Sequence, residues 1–370
     1  MKDLLEKIKL IYLPFLAITI SFILIYTFLH WLLFIKFDIF SIKEMFLNFW
    51  LPAGLPCILL YFLLRPRIKL LKFKDDNKSF FFQFLAALII AIPSIIAQEY
   101  LITATGKLTS LRTISEIEKH EKTKYYTLQK FYLDKKNIGV LNTSEITGKN
   151  NENFNMLIYV TIPIFEKTED TSKYECKYWL GKKYSEQISN HFSNDEKQIR
   201  FKEFVAATKE EFKNTDFSQF TYLELTGNTE DHDNFDEAIE ENTQYDINKP
   251  ILLEAHQEPF KNRNGKKITW FFGTLIGGLL IWLLILIFIK LQPKKQKTRK
   301  IEKKSIIQHL KETFEYLIPK ENFYITPVLI NINLIIFIIM VFAGLGLISF
   351  KGKDLLELGA NFKPLVDDGQ

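Results

Sequence analysis

The chain has 370 residues, of which 25% are charged, and a formal net charge of +5. Its mean hydropathy of +0.00 averages long apolar runs with strongly charged stretches, which excludes an ordinary soluble globule and marks an integral membrane protein carrying one soluble domain. The basic residues gather beside the apolar runs, so the charge excess signals the lipid bilayer as partner and no nucleic acid.

Five apolar segments follow in chain order. Residues 1–98 form an N-terminal membrane region with three of them, 11–35, 46–64 and 80–98. The first is long enough to cross a ~30 Å hydrocarbon core and has no small-residue cleavage site, so it reads as an uncleaved anchor. The second contains Pro52, Gly54 and Pro56, and the two prolines should kink or break it. The third carries Pro93. The fourth, 268–291, is almost purely aliphatic, and the fifth runs from Ile325 to Ile348.

Lysine and arginine set the direction. Lys2, Lys7 and Lys9 precede the first span, Arg65, Arg67, Lys69, Lys72, Lys74 and Lys78 join the second to the third, and a run from Lys294 to Lys304 follows the fourth. If every span crosses once, these three segments share one side, and the positive-inside rule makes that side cytoplasmic. Lys261, Arg263, Lys266 and Lys267 are a counter-signal on the other side. Residues 99–267 are therefore expected outside, and the N-terminus inside. The abundance of Phe (34 residues), Lys, Ile and Asn fits an AT-rich bacterial genome, hence a bacterial inner membrane.

Residues 99–267 suffice for one domain of ordinary size. Leu108 to Lys122 has a helical pattern, and Tyr125 to Leu133 reads as an aromatic strand. Phe154, Met156, Ile158, Val160, Ile162 and Ile164 alternate as in a half-buried strand. Glu196 to Lys213 is an amphipathic helix, and Phe220 to Leu225 and Ile251 to Ala255 add two strands. The fold class expected is a multi-span α-helical membrane protein with an inserted extracytoplasmic α+β domain. Gly181-Lys182-Lys183-Tyr184-Ser185 lacks the leading glycine and spacing of a phosphate loop and reads as a turn.

Few residues suggest chemistry. The stretch Glu230, Asp231, Asp233, Asp236, Glu237, Glu240 and Glu241 has Asp236 and Asn242 where a calcium loop starting at Asp231 needs Gly and Glu, so it reads as a solvated acidic helix. His120, His191, His232 and His256 are scattered, and Cys57 and Cys176 fit no Cys-x-x-Cys or Cys/His spacing, so no metal site, disulfide or cofactor is signalled. His30 and Ser94 lie near the outer ends of spans one and three. A catalytic pair there competes with a snorkelling His and a Ser bonded to its own backbone, and nothing near Ser94 builds an oxyanion hole, so no catalytic residue is assigned. Gly273 and Gly277 form a Gly-x-x-x-Gly that could seat a helix, either within the chain, the favoured reading, or in a self-associated pair.

Residues 292–324 form a basic cytoplasmic linker. From Arg299 to Ile318, Ile307, Leu310, Phe314, Leu317 and Ile318 recur at helical spacing among lysines. This is an amphipathic helix on the anionic leaflet, the alternative being a solvated linker.

The last 46 residues, 325–370, carry a family signature. An apolar helix with Thr326 and Asn333 leads to Leu355-Leu356, the turn Gly359-Ala360-Asn361, the step Pro364-Leu365 and finally Gly369-Gln370. This order resembles the first core helix and the start of the outer loop in rhomboid intramembrane serine proteases. The resemblance implies a parent that hydrolyses peptide bonds in or near the membrane spans of other proteins, using a Ser and a His on later helices and no cofactor. It also implies that the outer loop lies on the side already expected for residues 99–267. A Trp-Arg pair and a Gly-x-Ser-Gly should follow Gln370; neither occurs here, so this portion is expected to be inactive alone. The alternative is a membrane-anchored extracytoplasmic sensor or binding module.

Overall fold

The computed structural model describes residues 2–39, 42–172, 175–242, 244–247, 249–292, 315–320 and 324–345. The chain forms two compact units, one of Met1–Ala104 with Asn264–Gln370 and one of Thr105–Arg263.

In the first unit, helix α1 spans Asp3–Lys36, α2 Phe46–Leu63 and α3 Asp76–Thr105. The two-residue strand β1, Leu71–Lys72, precedes α3. Among the described residues five helices are long and apolar enough to cross a membrane: these three, the segment Phe260–Phe288 and Ile325–Phe342. Two begin at the residues read from the sequence, Phe46 and Ile325; the others begin earlier, at Asp3, Asp76 and Phe260. The two prolines do not break α2: Pro52 falls where a π-type segment at Phe46–Trp50 gives way to α-helix, and the helix runs on through Pro56 to Leu63. Large apolar side chains such as Leu24 (64% exposed), Ile276 (55%) and Phe288 (84%) point away from the protein. Water would disfavour such a surface; hydrocarbon does not.

In the second unit, strands β2 (Leu108–Leu111), β3 (Tyr125–Leu128), β4 (Tyr132–Leu133), β5 (Gly139–Thr147), β6 (Asn153–Phe165) and β7 (Tyr178–Ser189) come first. Helix α4 (Asn194–Asn214), β8 (Tyr222–Leu225), helix α5 (Glu230–Glu240) and β9 (Ile251–His256) follow. Back in the first unit, α6 spans Lys267–Phe288, β10 Lys290–Leu291 and α7 Ile325–Phe342.

Spans one, three and four pack around Trp282. Its indole is fully buried, with ring centroids 4.1 Å from Phe15 and 4.6 Å from Phe82. Its N–H donates to the Phe82 carbonyl at 3.4 Å, so the buried ring leaves no polar atom unmet. At one end of the bundle the N-terminal segment, the segment between spans two and three, and the end of span four come together. Lys7, 4% exposed, donates from Nζ to the carbonyls of Leu286, Ile287 and Ile289 at 3.3, 2.8 and 2.9 Å, capping the C-terminus of α6. β1 pairs antiparallel with β10, and Arg67 donates to the Leu10 carbonyl at 3.1 Å. Two of the basic segments, around Lys7 and around Arg67, therefore meet at the end of α6; the third, Lys294 to Lys304, lies outside the described residues.

The second unit is a mixed sheet, in the order β2-β3-β8-β9-β7-β6-β4, with β5 also paired to β6. Two pairs, β2 with β3 and β7 with β9, are parallel; the others are antiparallel. On one face Ile158, Val160, Ile162, Leu180, Leu223 and Leu253 share a core with Phe204 of α4. On the other, Leu157, Tyr159, Trp179 and Leu252 pack with Phe235, Ala238 and Ile239 of α5. The sheet is thus sandwiched between helices.

Several expectations are corrected. β6 is not half-buried: from Met156 to Phe165 both faces are covered, because α5 closes the second one. The helix expected over Leu108 to Lys122 is instead β2 and a 3-10 helix at Ile114–Lys119. Leu111, Ile114 and Ile117 recur every third residue, the 3-10 repeat, and Leu108–Leu111 finds a parallel partner in β3. Tyr125 to Leu133 holds two short strands rather than one. Gly181 to Ser185 is no turn but the middle of β7, paired throughout with β6, and Gly181 is also paired with Glu254 of β9. The helix Glu196 to Lys213 is present as α4, started by a capping box in which Ser193 Oγ accepts from the Glu196 N–H at 3.3 Å. Of the amphipathic pattern Arg299 to Ile318, residues 299–314 lie outside the described residues; Glu315–Leu317 forms a 3-10 turn.

Candidate functional site

Inside the membrane region one polar cluster is built by α1 and α3. His30 Nδ1 lies 2.7 Å from Gln98 Oε1, and the Gln98 amide donates to Thr27 Oγ1 and to the Ser94 carbonyl, both at 3.1 Å. His30, Ser94 and Gln98 are all buried. The expectation that His30 snorkels is corrected: it stays inside because Gln98, which sequence reading placed only as the end of a span, supplies a partner across the helix pair. Ser94 donates instead to the Ile90 carbonyl at 2.6 Å, the bond an apolar helix usually gives a serine. The cluster joins two helices; it does not align a hydroxyl with an imidazole.

The soluble unit holds three charged clusters. Asp134, 2% exposed, accepts from Tyr245 Oη at 2.6 Å and Asn137 Nδ2 at 2.7 Å, which, against the cost of burial, hold its carboxyl below the usual range. It is a structural anchor between the β4–β5 turn and the segment after α5. On α5, the acidic stretch is helical as expected, but Asp231 is not merely solvated: it accepts from Tyr159 Oη at 2.6 Å and Lys183 Nζ at 2.7 Å. The third cluster surrounds His256, whose ring nitrogens lie 3.1 Å from Glu224 and 3.4 Å from Glu258. His232 Nε2 is 3.4 Å from Asp236, one turn away on α5. Sequence reading could not find the His256 group, because it depends on the register of β8 against β9.

An open cavity of about 370 Å³ is lined by Ile114, Ser115, Ile164, Glu166, Cys176 and Tyr178, among others. Its groups are unsuited to nucleophilic chemistry. Burial pushes the Cys176 thiol up to about 12, leaving no thiolate at neutral pH. Ser115 donates to Glu166, and no imidazole lines the cavity to activate it. Cys57 and Cys176 are both free, and among the described residues no group of three His, Cys, Asp or Glu side chains could hold a metal ion.

Gly273 and Gly277 face open space: a Cβ built on either would meet no described atom within 4 Å. This corrects the favoured reading that they pack inside the chain. The close helix contact falls one residue on, at Gly278, whose Cβ would lie 3.0 Å from Ile89. On α7, Thr326 and Asn333 lie seven residues, about two turns, apart and so share a face; both are exposed. Gly359, Ala360, Asn361, Pro364, Gly369 and Gln370 lie outside the described residues.

The chain thus belongs to the class of multi-helix proteins, apolar enough for a membrane, that carry a sheet-rich α/β unit. No protein-family model matches it, and neither a curated protein nor a solved structure is similar to it.

Proposed function

We propose that residues 1–370 are the N-terminal portion of a rhomboid-like intramembrane serine protease. The order Thr326, Asn333, Gly359-Ala360-Asn361, Pro364-Leu365, Gly369-Gln370 carries this reading. The helical form of α7, with Thr326 and Asn333 on one face, supports it. In this reading the attacking serine and its histidine come from sequence beyond Gln370, and transmembrane proteins are the substrates. Reading the gene past the Gln370 codon tests it. A Trp-Arg pair followed by Gly-x-Ser-Gly is expected; a frame that closes or continues without them overturns the proposal. The extended protein should label with a fluorophosphonate serine probe and lose that label when its downstream serine is mutated. The present 370 residues should not label, and Ser94→Ala should change nothing, since Ser94 is bonded to its own helix.

A second reading, a membrane-anchored extracytoplasmic sensor or binding module, is favoured by the separate compact unit Thr105–Arg263 with its own two-faced core. The open Gly273 and Gly277 face leaves room for self-association under either reading.

Both readings place the N-terminus in the cytoplasm of a bacterial inner membrane and residues 99–267 outside. The convergence of Lys7, Arg67 and β10 at one end of the bundle supports a common side for the basic segments. Alkaline phosphatase fused at Asn228 should be active and at Asn77 silent; the reverse pattern sinks this topology.

A further inference from the structure

The cluster at the end of β9 is built so that its histidine is fully satisfied only as a cation. The His256 ring has a carboxylate at each nitrogen: Glu224 Oε2 of β8 is 3.1 Å from Nε2, and Glu258 Oε1, two residues past the strand, is 3.4 Å from Nδ1. The Nε2 contact is off the line of a hydrogen bond and acts through charge. A neutral imidazole carries one N–H and one lone pair; an imidazolium carries two N–H groups. A neutral ring therefore sets an uncharged nitrogen beside one of the two carboxylates, whereas the cation places positive charge near both.

The same ring stacks on Tyr222, with centroids 4.8 Å apart and planes 9° apart, and Tyr222 Oη donates to Glu258 Oε1 at 3.0 Å. Phe260 then stands edge-on to Tyr125 and Tyr222, 5.2 Å from each, and the Arg263 guanidinium lies 4.0 Å from the Phe260 centroid. The segment between β9 and α6 is thus held to the ends of β3 and β8 by an aromatic group, by Thr221 Oγ1 donating to the Gln257 carbonyl at 2.8 Å, and by Glu258, which meets both Tyr222 and His256.

The surrounding charges come from every neighbouring element. Lys124, just before β3, is 3.0 Å from Glu224 Oε1; Glu254 on β9 is the register partner of Glu224; Glu258 and Arg263 lie on the segment itself. Asp231 at the start of α5 acts on Glu254 through space. With His256 neutral, the carboxyls of Glu224, Glu254 and Glu258 outnumber the fixed cations Lys124 and Arg263; the imidazolium evens the balance.

We infer that His256 is a pH-operated clasp: protonated, it pins residues 257–263 to the sheet through Glu258 while holding Glu224, and deprotonated, it releases that segment, which leads directly into α6. The charge environment agrees. Glu224 chiefly, against the cost of burial, holds the imidazole above its ordinary range, whereas burial and then Glu224 push the Glu254 carboxyl up. Glu224, despite its burial, is held low by His256 and Lys124, and Glu258 is held low by its own backbone N–H and then by Tyr222. A raised histidine contributes its stabilisation in full below its unfolded value of about 6.5 and loses it as pH rises through the folded one. The depressed carboxylates lose theirs only as pH falls through values below the ordinary ~4.3. The clasp is therefore closed in mild acid and opens toward alkaline pH.

Hydrogen–deuterium exchange on the full chain in detergent micelles, corrected for intrinsic rates, tests this at about pH 5.5 and about pH 8.5. Peptides covering residues 257–263 should exchange about tenfold faster at the higher pH, while β6, β7 and β9 stay protected at both. His256→Gln should remove the difference between the two pH values. If that variant loses β6 protection, Glu258→Gln serves in its place, since it keeps His256 and Glu224 and removes only the tether to the segment. Equal protection of residues 257–263 at both pH values in the unaltered chain, or a difference that survives in the folded variant, overturns the inference.

Discussion

Replacing Trp282 with Ala should cost the membrane unit more than any other single truncation in its core. The indole is fully buried between Phe15 of α1 and Phe82 of α3, with Tyr12 stacked 6.3 Å away. Three helices lose their common contact at once. In hydrocarbon there is no water-transfer gain to forfeit, so the cost is the cavity and its missing dispersion contacts. At about 24 cal/mol per Å³, a vacated volume on the order of 100 Å³ costs roughly 2–3 kcal/mol. The Phe82 carbonyl also loses the indole N–H. Unfolding in mixed micelles titrated with sodium dodecyl sulfate should show the loss, and Trp282→Phe should recover most of it. An Ala variant as stable as the unaltered chain would mean that spans one, three and four are not packed around this ring.

The membrane helices were legible because a 20-residue apolar run has one main physical use, and because lysine marks the ends of short loops. The soluble unit was less so, for reasons particular to it. The alternation of Phe154 to Ile164 identified β6, but the residues between, Leu157 and Tyr159 among them, are themselves apolar, the mark of a strand covered on both faces. β7 hid behind Gly181-Lys182-Lys183. That glycine looks like punctuation, yet it is there because the Phe235 ring crosses the strand and a Cβ would lie 3.0 Å from it. Leu108 to Lys122 misled because its apolar spacing suits an α-helix and a strand followed by a 3-10 turn equally well. The polar groups were the least legible. His30 with Gln98, Asp134 with Tyr245 and His256 with Glu224 are separated by tens of residues, and only strand register or helix packing brings them together.

Gly139→Ala should unfold the soluble unit's α5 face, although the change adds a single methyl group. Gly139 opens β5, paired with Thr161 of β6, at the point where the backbone of α5 crosses the strand. A Cβ there would lie 1.9 Å from the Ala238 carbonyl oxygen and 2.5 Å from Thr161 Oγ1. The first of these is backbone near the end of a helix, which cannot turn aside as a side chain can. Relief requires α5 to shift, and Ala238 and Ile239, both fully buried, to leave the core they share with Tyr159 and Trp179. Overpacking of this kind typically costs about 1–3 kcal/mol, and the upper end or beyond is expected where backbone meets backbone. Residues 105–263 form a compact unit with its own core, so a soluble polypeptide of that length should fold and unfold cooperatively, and the substitution can be measured on it. Its urea midpoint should fall sharply. Gly273→Ala in the full chain is the matched control, because open space surrounds that position and helix propensity alone favours alanine. A Gly139→Ala protein with an unchanged midpoint would show that α5 does not lie on β5 at this distance, and with it the two-faced burial of the sheet would fail.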